Sequence, residues 1–332
     1  MKMNISVIGA GAWGTAMAIS LSSQHHVTLY ARNAKQIEAM QATRVNRAYL
    51  PDITLPAALT LSADLISAVA NAELVILAVP LAALRSTLKA LPSLPDKAGV
   101  VWLCKGLEAN SGLLPHQVVA EELADSVPRA VLSGPSFALE VAKGLPTALT
   151  LASSDAEFAR HTAKALRAPH LRVYASTDVV GVEIGGAVKN VLAIAAGISD
   201  GMGLGLNARA ALMTRGLAEI SRLGVALGGR AETLMGLSGA GDLILTCTGD
   251  LSRNRQVGLL LTQQHSLPEI MRRLGHVAEG VYSVREVYQL AQRLNVPMPI
   301  CAAVYRIIYE HVPVKEVLAE LLNRPVHTEF DQ

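Results

Sequence analysis

The chain has few of the residues that mark a disulfide-rich or metal-binding protein. Its nine histidines show no spacing typical of metal ligands, and we predict surface positions for His25, His26 and His116. Only three cysteines occur in 332 residues, without C-x-x-C spacing: Cys104, Cys247 and Cys301. This argues against a disulfide framework or a zinc site, and buried thiols in a reducing compartment are expected. No metal is therefore predicted.

Charge and long apolar runs are also scarce. The net charge is +2 and 17% of the residues are charged, so no general attraction to nucleic acid or acidic membranes follows. No secretory signal is visible, and the apolar stretch 184–198 is too short to span a bilayer. A G-x-S-x-G nucleophile motif is missing. These features predict a soluble cytoplasmic protein without membrane insertion or a nucleic-acid partner.

A glycine-rich motif follows the first apolar segment. Residues 5–8 predict a short buried strand and residues 15–21 predict a helix, with G-x-G-x-x-G between them. The glycines permit a tight turn, close approach of a pyrophosphate and close packing of helix on strand. The helix N-terminus offers N–H groups to the phosphates. We therefore predict that a dinucleotide is bound by Gly9, Gly11, Ala12, Trp13 and Gly14.

The second predicted strand ends without the acidic residue that usually holds the ribose of NAD. Residues 27–30 are apolar, and Arg32 follows them. A guanidinium suits a 2′-phosphate, which it can bind through two hydrogen bonds. The alternative is a solvated arginine at a strand end. We expect NADP(H) as the preferred cofactor, with NAD(H) also accepted.

The two halves of the chain differ in pattern. Apolar strands near residues 73–80, 99–106, 130–133, 147–151 and 171–174 alternate with helices, which predicts a parallel sheet covered on both faces. The later residues predict helices, one of them capped by Asn207 and another running from Arg253 to Thr262. The predicted class is α/β: a Rossmann-like doubly wound domain over residues 1–182, then an all-helical domain over residues 183–332. The substrate site is expected beyond the carboxyl ends of the strands, facing the helical domain.

Lys189 is the most conspicuous candidate for catalysis. It lies with Asn190 in a helix that is otherwise apolar, where an ammonium group is unfavourable unless it is paired or functional. Lysine acts as a general acid/base when burial brings its pKa toward neutrality. A lysine that snorkels to solvent or forms a structural ion pair is the alternative.

Other candidates lie in short polar segments. Lys105 ends a predicted strand, and Gly134 and Ser136 follow another, although strand-end solvation and a structural turn explain them equally well. Asp242 could orient a lysine or cap a helix. Ser252 is a predicted N-cap, and with Arg253 it begins a helix suited to a phosphate.

Taken together, these motifs closely resemble those of the bacterial-type NAD(P)-dependent sn-glycerol-3-phosphate dehydrogenases. The resemblance covers essentially the whole chain and is carried by residues 9–14, 104–106, 134–138, 183–190, 237–242 and 252–254. It implies that Lys189 is the general acid/base, aided by Lys105 and Asp242. It implies substrate contacts at Lys105, Gly134, Ser136, Lys189, Asp242, Ser252, Arg253 and Asn254. It implies further cofactor contacts at Trp13, Arg32, Lys105, Ala138, Arg253, Val277 and Glu279.

The implied reaction is the reversible reduction of dihydroxyacetone phosphate to sn-glycerol 3-phosphate for phospholipid synthesis. A lysine-dependent NADP dehydrogenase of a β-hydroxy acid or a ketopantoate-like acid is the nearest alternative. A non-catalytic NADP(H) sensor is another, and it would not need Lys189 or Asp242. The apolar helices are compatible with a homodimer, or with use entirely in the core of a monomer.

Overall fold

The computed structural model describes residues 2–263, 265–275 and 278–323, in two compact units. The first unit comprises residues 1–105 together with Leu114–Val179, and the second comprises Gly106–Leu113 and the chain from Val180 onward. The predicted domain boundary at 182/183 lies three residues beyond the start of this last segment. The sequence did not indicate that Gly106–Leu113 joins the second unit.

An eight-stranded sheet forms the centre of the first unit. Its spatial order is β10-β9-β8-β7-β6-β1-β2-β5, and a separate two-stranded sheet pairs β3 with β4. The strands are β1 Asn4–Ile8, β2 His26–Tyr30, β3 Val45–Asn46, β4 Leu50–Thr54, β5 Thr60–Ser62, β6 Leu74–Leu77, β7 Gly99–Trp102, β8 Arg129–Ser133, β9 Thr147–Ala152 and β10 Leu171–Ser176. The central strands β1, β6 and β7 are buried almost throughout, as expected for a sheet covered on both faces.

Seven helices accompany the strands of this unit: α1 Ala12–Ser22, α2 Ala34–Thr43, α3 Leu65–Val69, α4 Leu81–Ala90, α5 Pro115–Glu122, α6 Ala138–Ala142 and α7 Ala156–Ala165. Short polar side chains begin three of them, since Asn33, Asp64 and Asp155 accept hydrogen bonds from first-turn N–H groups of α2, α3 and α7. The β1–α1–β2 unit places the glycine-rich motif between a strand and a helix, as predicted.

Two predictions for this unit need correction. The sheet is not parallel throughout, because β9 runs antiparallel to β8 while β10 is parallel to β9. Only the short α6, which packs with α1 residues such as Ala16, lies between β8 and β9. A connection this short does not cross over to the other end of the sheet, so β9 starts at the end where β8 finishes and runs antiparallel to it. His25 is buried rather than at the surface. Its Nδ1 accepts from the Met3 N–H at 3.1 Å, and its Nε2 donates to the Ala165 carbonyl at 2.8 Å.

The described part of the second unit is helical from Val180 onward. It contains α8 Val179–Gly201, α9 Gly205–Ala226, α10 Ala231–Leu234, a π-helical turn Leu237–Gly241, α11 Asp242–Thr248, α12 Arg253–Thr262, α13 Leu267–Leu274, α14 Glu279–Arg293, α15 Pro299–Tyr309 and α16 Val314–Leu322. The fold class predicted from the sequence is confirmed. Asn207, however, lies inside α9 and does not cap it, because the helix already begins at Gly205.

Helix α8 is the central element of this unit. The helix has 23 residues and is mostly apolar, so by length and composition alone it could cross a membrane, and the sequence argument that the apolar run is too short is wrong. The helix is instead surrounded by protein, with 89% of its most apolar window buried. It has the character of a core helix, and it is the only such long apolar helix among the residues that the structure describes.

Candidate functional site

The glycine-rich loop has the geometry that a dinucleotide requires. Gly9 has a φ of +119°, and a Cβ there would lie 2.5 Å from the Ala78 carbonyl oxygen. A Cβ on Gly14 would collide with the Gly9 carbonyl oxygen, so α1 can pack this closely on the end of β1 only because residue 14 is glycine. A Cβ on Gly11, by contrast, would meet nothing within 4 Å. The open space at Gly11, in front of the N-terminus of α1, fits a pyrophosphate.

Trp13, Ala138 and Arg32 are the other cofactor residues predicted around the glycine-rich loop of the first unit. Trp13 is half-buried in α1, and it packs in the same small cluster as Ala138, the first residue of α6. Arg32 is exposed and lies two residues beyond the end of β2. In the second unit, Arg253 is exposed and Glu279 begins α14. Val277 lies outside the described residues.

Lys105, Gly134 and Ser136 meet at one carbonyl group. The Lys105 ammonium donates to the Gly134 carbonyl oxygen at 3.3 Å, and the Ser136 hydroxyl donates to the same oxygen at 3.0 Å. Lys105 follows β7 and Gly134 follows β8, and these strands are parallel neighbours. Their carboxyl ends therefore share one edge of the sheet, the edge at which α/β proteins bind ligands.

Lys189 forms a buried ion pair with Asp242. Lys189 is 7% exposed and Asp242 is 1% exposed. The Lys189 ammonium donates to Asp242 Oδ1 and also to Thr246 Oγ1, the latter at 2.9 Å. The Thr246 hydroxyl in turn donates to the Asp242 carbonyl oxygen at 2.6 Å. Buried charged groups are stable only when they are paired and hydrogen-bonded, and these contacts fix the position of the Lys189 side chain.

Backbone packing brings the two partners of this pair together. A Cβ on Gly185 would collide with the Ser238 carbonyl oxygen, so α8 and the π-helical turn are in direct backbone contact. Lys189 lies one helical turn after Gly185, and Asp242 lies four residues after Ser238. Such π-helical turns are often found at functional sites. The small residues of the 237–242 segment thus make the Lys189–Asp242 pair possible.

A second polar group joins α8 to the start of α12. Asn254 Nδ2 donates to Asn190 Oδ1 at 2.9 Å, and Asn254 Oδ1 accepts from the Gly280 N–H at 3.1 Å. Ser252 caps α12 as predicted, since its Oγ accepts from the Arg255 N–H at 3.2 Å. The first turn of α12, with Arg253 exposed, is therefore fixed beside the lysine helix. An arginine and a capped helix N-terminus are suited to a phosphate.

Sequence reasoning missed two polar residues of this site. Thr246 was not singled out, although it lies four residues after Asp242 and therefore on the same face of α11. Asn190 was noted as a polar group in an apolar helix but was given no role. Its partner Asn254 is distant in the sequence, so only the packing of α8 against α12 reveals the pair.

Comparison with known proteins identifies the family. A profile described as the NAD-dependent glycerol-3-phosphate dehydrogenase N-terminus matches residues 4–159, and one described as the C-terminus of the same enzymes matches residues 178–319. The chain belongs to this family. The resemblance recognised from the sequence motifs is thereby confirmed.

Individual relatives agree over the full length. A glycerol-3-phosphate dehydrogenase [NAD(P)+] of Thiobacillus denitrificans is 58% identical, covering 99% of this chain and 100% of the relative. One of Nitrosospira multiformis is 57% identical, with the same coverage. A crystal structure of glycerol-3-phosphate dehydrogenase from Coxiella burnetii superimposes with a TM-score of 0.92 at 43% identity, covering 97% of this chain and 99% of the other.

Membership of this family makes the chain an NAD(P)-dependent oxidoreductase, as predicted. Over the described ranges, no three histidine, cysteine, aspartate or glutamate residues are grouped so that they could hold a metal ion. Cys104, Cys247 and Cys301 are all buried, and none of them forms a disulfide. Burial raises the pKa of Cys247 to about 12 in spite of the opposing charge of Lys189, so this neighbour of Thr246 stays a neutral thiol.

Proposed function

We propose that the chain catalyses the reversible NAD(P)H-dependent reduction of dihydroxyacetone phosphate to sn-glycerol 3-phosphate. The observation that carries this proposal is the buried ion pair between Lys189 of α8 and Asp242 of α11. Helix α8 is also hydrogen-bonded, through Asn190, to Asn254 in the capped first turn of α12. A proton donor and a phosphate-binding segment are the two features that a phosphorylated ketone needs. The product, sn-glycerol 3-phosphate, is used in phospholipid synthesis. The protein would act in the cytoplasm, with dihydroxyacetone phosphate and sn-glycerol 3-phosphate as its small-molecule ligands.

Lys189 acts as the general acid in the reduction. When bound, the reduced nicotinamide supplies the hydride that the carbonyl carbon receives. Lys189 donates a proton from Nζ to the carbonyl oxygen and accepts the hydroxyl proton in the reverse direction. Asp242 and Thr246 hold the ammonium in place and balance its charge. Lys105 polarises the carbonyl or holds the substrate at the sheet edge, together with Gly134 and Ser136.

The phosphate group is assigned to the first turn of α12. Arg253 supplies a charge for it, while Ser252 and Asn254 fix the helix end through their own hydrogen bonds. Binding energy from this remote group positions the reacting carbonyl against Lys189.

The cofactor is assigned to the glycine-rich loop, with the pyrophosphate at Gly9, Gly11, Ala12, Trp13 and Gly14. Arg32 would bind a 2′-phosphate, which favours NADPH over NADH. Lys105, Ala138, Arg253, Val277 and Glu279 are proposed as further contacts through the family resemblance. A homodimer stays a prediction, which light scattering of the purified protein measures directly.

Absorbance of the reduced nicotinamide tests the reaction and the cofactor preference together. With dihydroxyacetone phosphate, NADPH should be oxidised at least as fast as NADH. Arg32→Ala should raise the KM for NADPH by about tenfold, through loss of a charged hydrogen bond, and should leave the KM for NADH nearly unchanged. Equal effects of Arg32→Ala on the KM for NADPH and for NADH would show that Arg32 does not bind the 2′-phosphate.

The same assay separates the rival functions. An enzyme for a β-hydroxy acid or a ketopantoate-like acid would turn over those acids and not dihydroxyacetone phosphate. A sensor would bind NADPH without oxidising it under any of these conditions. The capped, arginine-bearing start of α12 favours the phosphorylated substrate.

A further inference from the structure

One carbonyl group of the glycine-rich loop is held by two side chains from outside the motif. Asn46 Nδ2 donates to the Ala10 carbonyl oxygen at 3.0 Å, and Gln36 Nε2 donates to the same oxygen at 2.9 Å. Asn46 comes from β3 and Gln36 from α2. Asn46 is only 1% exposed, although residues 47–49 beside it are exposed. A buried amide in a two-residue strand needs a physical reason.

The hydrogen bonds of Asn46 fix how its amide is turned. A carbonyl oxygen can only accept, so the atom that faces Ala10 must be the nitrogen. The same nitrogen donates to Thr15 Oγ1 at 2.8 Å, and Asn46 Oδ1 lies 3.4 Å from Gln36 Nε2. Asn46 therefore connects β3, α2, the glycine-rich loop and the first turn of α1. Both N–H bonds of its amide are used for this.

Fixing the Ala10 carbonyl also fixes the next N–H group. The peptide between Ala10 and Gly11 is planar and trans, so its C=O and N–H point in opposite directions. With the carbonyl directed at Asn46 and Gln36, the Gly11 N–H is directed away from them. Ala10 is buried in the core, but Gly11 has no side chain and a Cβ there would meet nothing within 4 Å, so no side-chain packing at Gly11 holds this peptide. The two amides supply the missing constraint.

We propose that Asn46 is a positioning residue for the cofactor, which holds the Gly11 N–H in the direction of the pyrophosphate. Gln36 supports it through the same carbonyl oxygen. This inference rests on the proposed use of the loop for NADPH. It predicts that Asn46 acts on cofactor affinity, because a peptide that must first be ordered binds more weakly.

Thr15 provides a matched control. Asn46→Ala removes the donor to Ala10 together with the bond to Thr15, whereas Thr15→Val removes only the latter and keeps the buried volume. Binding of NADPH by the purified protein is measured from nicotinamide fluorescence, and folding from the thermal transition. Asn46→Ala should raise the Kd for NADPH by about tenfold or more. Thr15→Val should stay within about twofold of wild type. In steady-state assays, Asn46→Ala should raise the KM for NADPH while kcat at saturation is kept.

Gln36→Ala keeps the inference testable if Asn46→Ala does not fold. Gln36 is only partly buried, so its loss should weaken NADPH binding several-fold without unfolding, whereas Lys35→Ala at the exposed neighbouring position should not. A Kd for Asn46→Ala or Gln36→Ala equal to wild type would overturn the inference, as would equal weakening by Asn46→Ala and Thr15→Val. If the wild-type protein binds neither NADPH nor NADH, the proposed function fails, and this inference fails with it.

Discussion

At the scale of single residues, Lys189, Asp242 and Thr246 form a connected set of hydrogen bonds among apolar neighbours. Moving a charged lysine or aspartate side chain from water into a protein interior costs roughly several kcal/mol per ion when the ion is unpaired. Their pairing offsets much of this cost, and the hydroxyl of Thr246 accepts a second N–H of the ammonium. The protein's own groups therefore fix the Lys189 ammonium in one position, as the proposed role of Lys189 as a general acid needs.

The hydroxyl of Thr246 should matter for turnover, whereas that of Thr248 should not. Both hydroxyls donate to the carbonyl four residues earlier in α11, but only Thr246 contacts Lys189. Thr246→Val should lower kcat by about 10- to 100-fold, because a hydrogen bond to a charged group is lost. Thr248→Val, on the exposed face, should keep kcat within about twofold. Similar losses in both variants would mean that the hydroxyls act only on helix stability.

Two glycines of the cofactor loop should respond differently to alanine. Gly11 has an ordinary φ of −75° and open space at its Cβ position, so Gly11→Ala should have the unfolding temperature of the wild type. Its methyl group would occupy the space proposed for the pyrophosphate, so it should bind NADPH at least about tenfold more weakly. Gly14→Ala places a methyl group against the Gly9 carbonyl oxygen and 2.8 Å from Ala78 Cβ, so it should lower the unfolding temperature. Differential scanning fluorimetry with and without NADPH measures both effects. Undiminished affinity in Gly11→Ala would place the pyrophosphate elsewhere.

At the scale of secondary structure elements, backbone contacts at glycines determine how α8 packs in the second unit. A Cβ on Gly197 would collide with the Arg255 carbonyl oxygen, and a Cβ on Gly258 would collide with the Ile194 carbonyl oxygen. Helices α8 and α12 therefore touch through their backbones. Asp200 strengthens this junction, since its carboxylate accepts from Arg209 of α9 and Arg255 of α12. Helix α8, which carries Lys189, is thus tied to both α9 and α12.

Glu219 of α9 caps a different helix. Its carboxylate accepts from the Ile300 N–H at 2.6 Å and the Cys301 N–H at 3.1 Å, in the first turn of α15. Glu219→Ala should lower the free energy of unfolding by roughly 1–3 kcal/mol for each buried N–H group left without an acceptor. Urea unfolding measures this loss, and Glu232→Ala on the exposed face of α10 is the control. Wild-type stability in Glu219→Ala would show that another group can replace the cap.

Glu219 also gives the protein a specific pH dependence. Burial raises its pKa above the ordinary value of 4.5, against the opposing effect of the two backbone N–H groups. The folded state keeps a proton that the unfolded state has released, so the free energy of unfolding falls as the pH rises through the folded-state pKa. Glu219→Gln should lose this contribution, and its stability relative to wild type should increase with pH above 4.5. A difference that does not change with pH would contradict the raised pKa.

The elements that local sequence determines were predicted well. The strands β1, β2, β6, β7, β8, β9 and β10 were found from their apolar runs, and α12 was placed at roughly Arg253–Thr262 with Ser252 as its cap, in agreement with the structure. The β3–β4 hairpin and the direction of β9 were missed, because strand pairing depends on distant residues. Asn207 was taken as a cap because it resembles one in isolation, while packing extends α9 to Gly205.

At the scale of the whole molecule, the predicted site residues are divided between the two units. Lys105, Gly134 and Ser136 converge in the first unit, and the Lys189–Asp242 pair lies in the second. Single motifs indicated the individual candidates, and the resemblance over the whole chain combined them. Hydrogen bonds between residues far apart in sequence, such as Asn254 to Asn190 or Asn46 to Ala10, could not be predicted, because they depend on how helices and loops pack.

The proton-donating role of Lys189 is the central claim, and its kcat with dihydroxyacetone phosphate and NADPH tests it most directly. Lys189→Met removes the ammonium, and the double variant Lys189→Met/Asp242→Asn avoids leaving a buried carboxylate unpaired. Exposed Lys164→Met in α7 is the control. We predict that kcat falls at least about 10²-fold in both the single and the double variant, that the double variant keeps the fold and the NADPH affinity, and that Lys164→Met matches wild type. Wild-type turnover by a folded Lys189→Met protein would contradict this account.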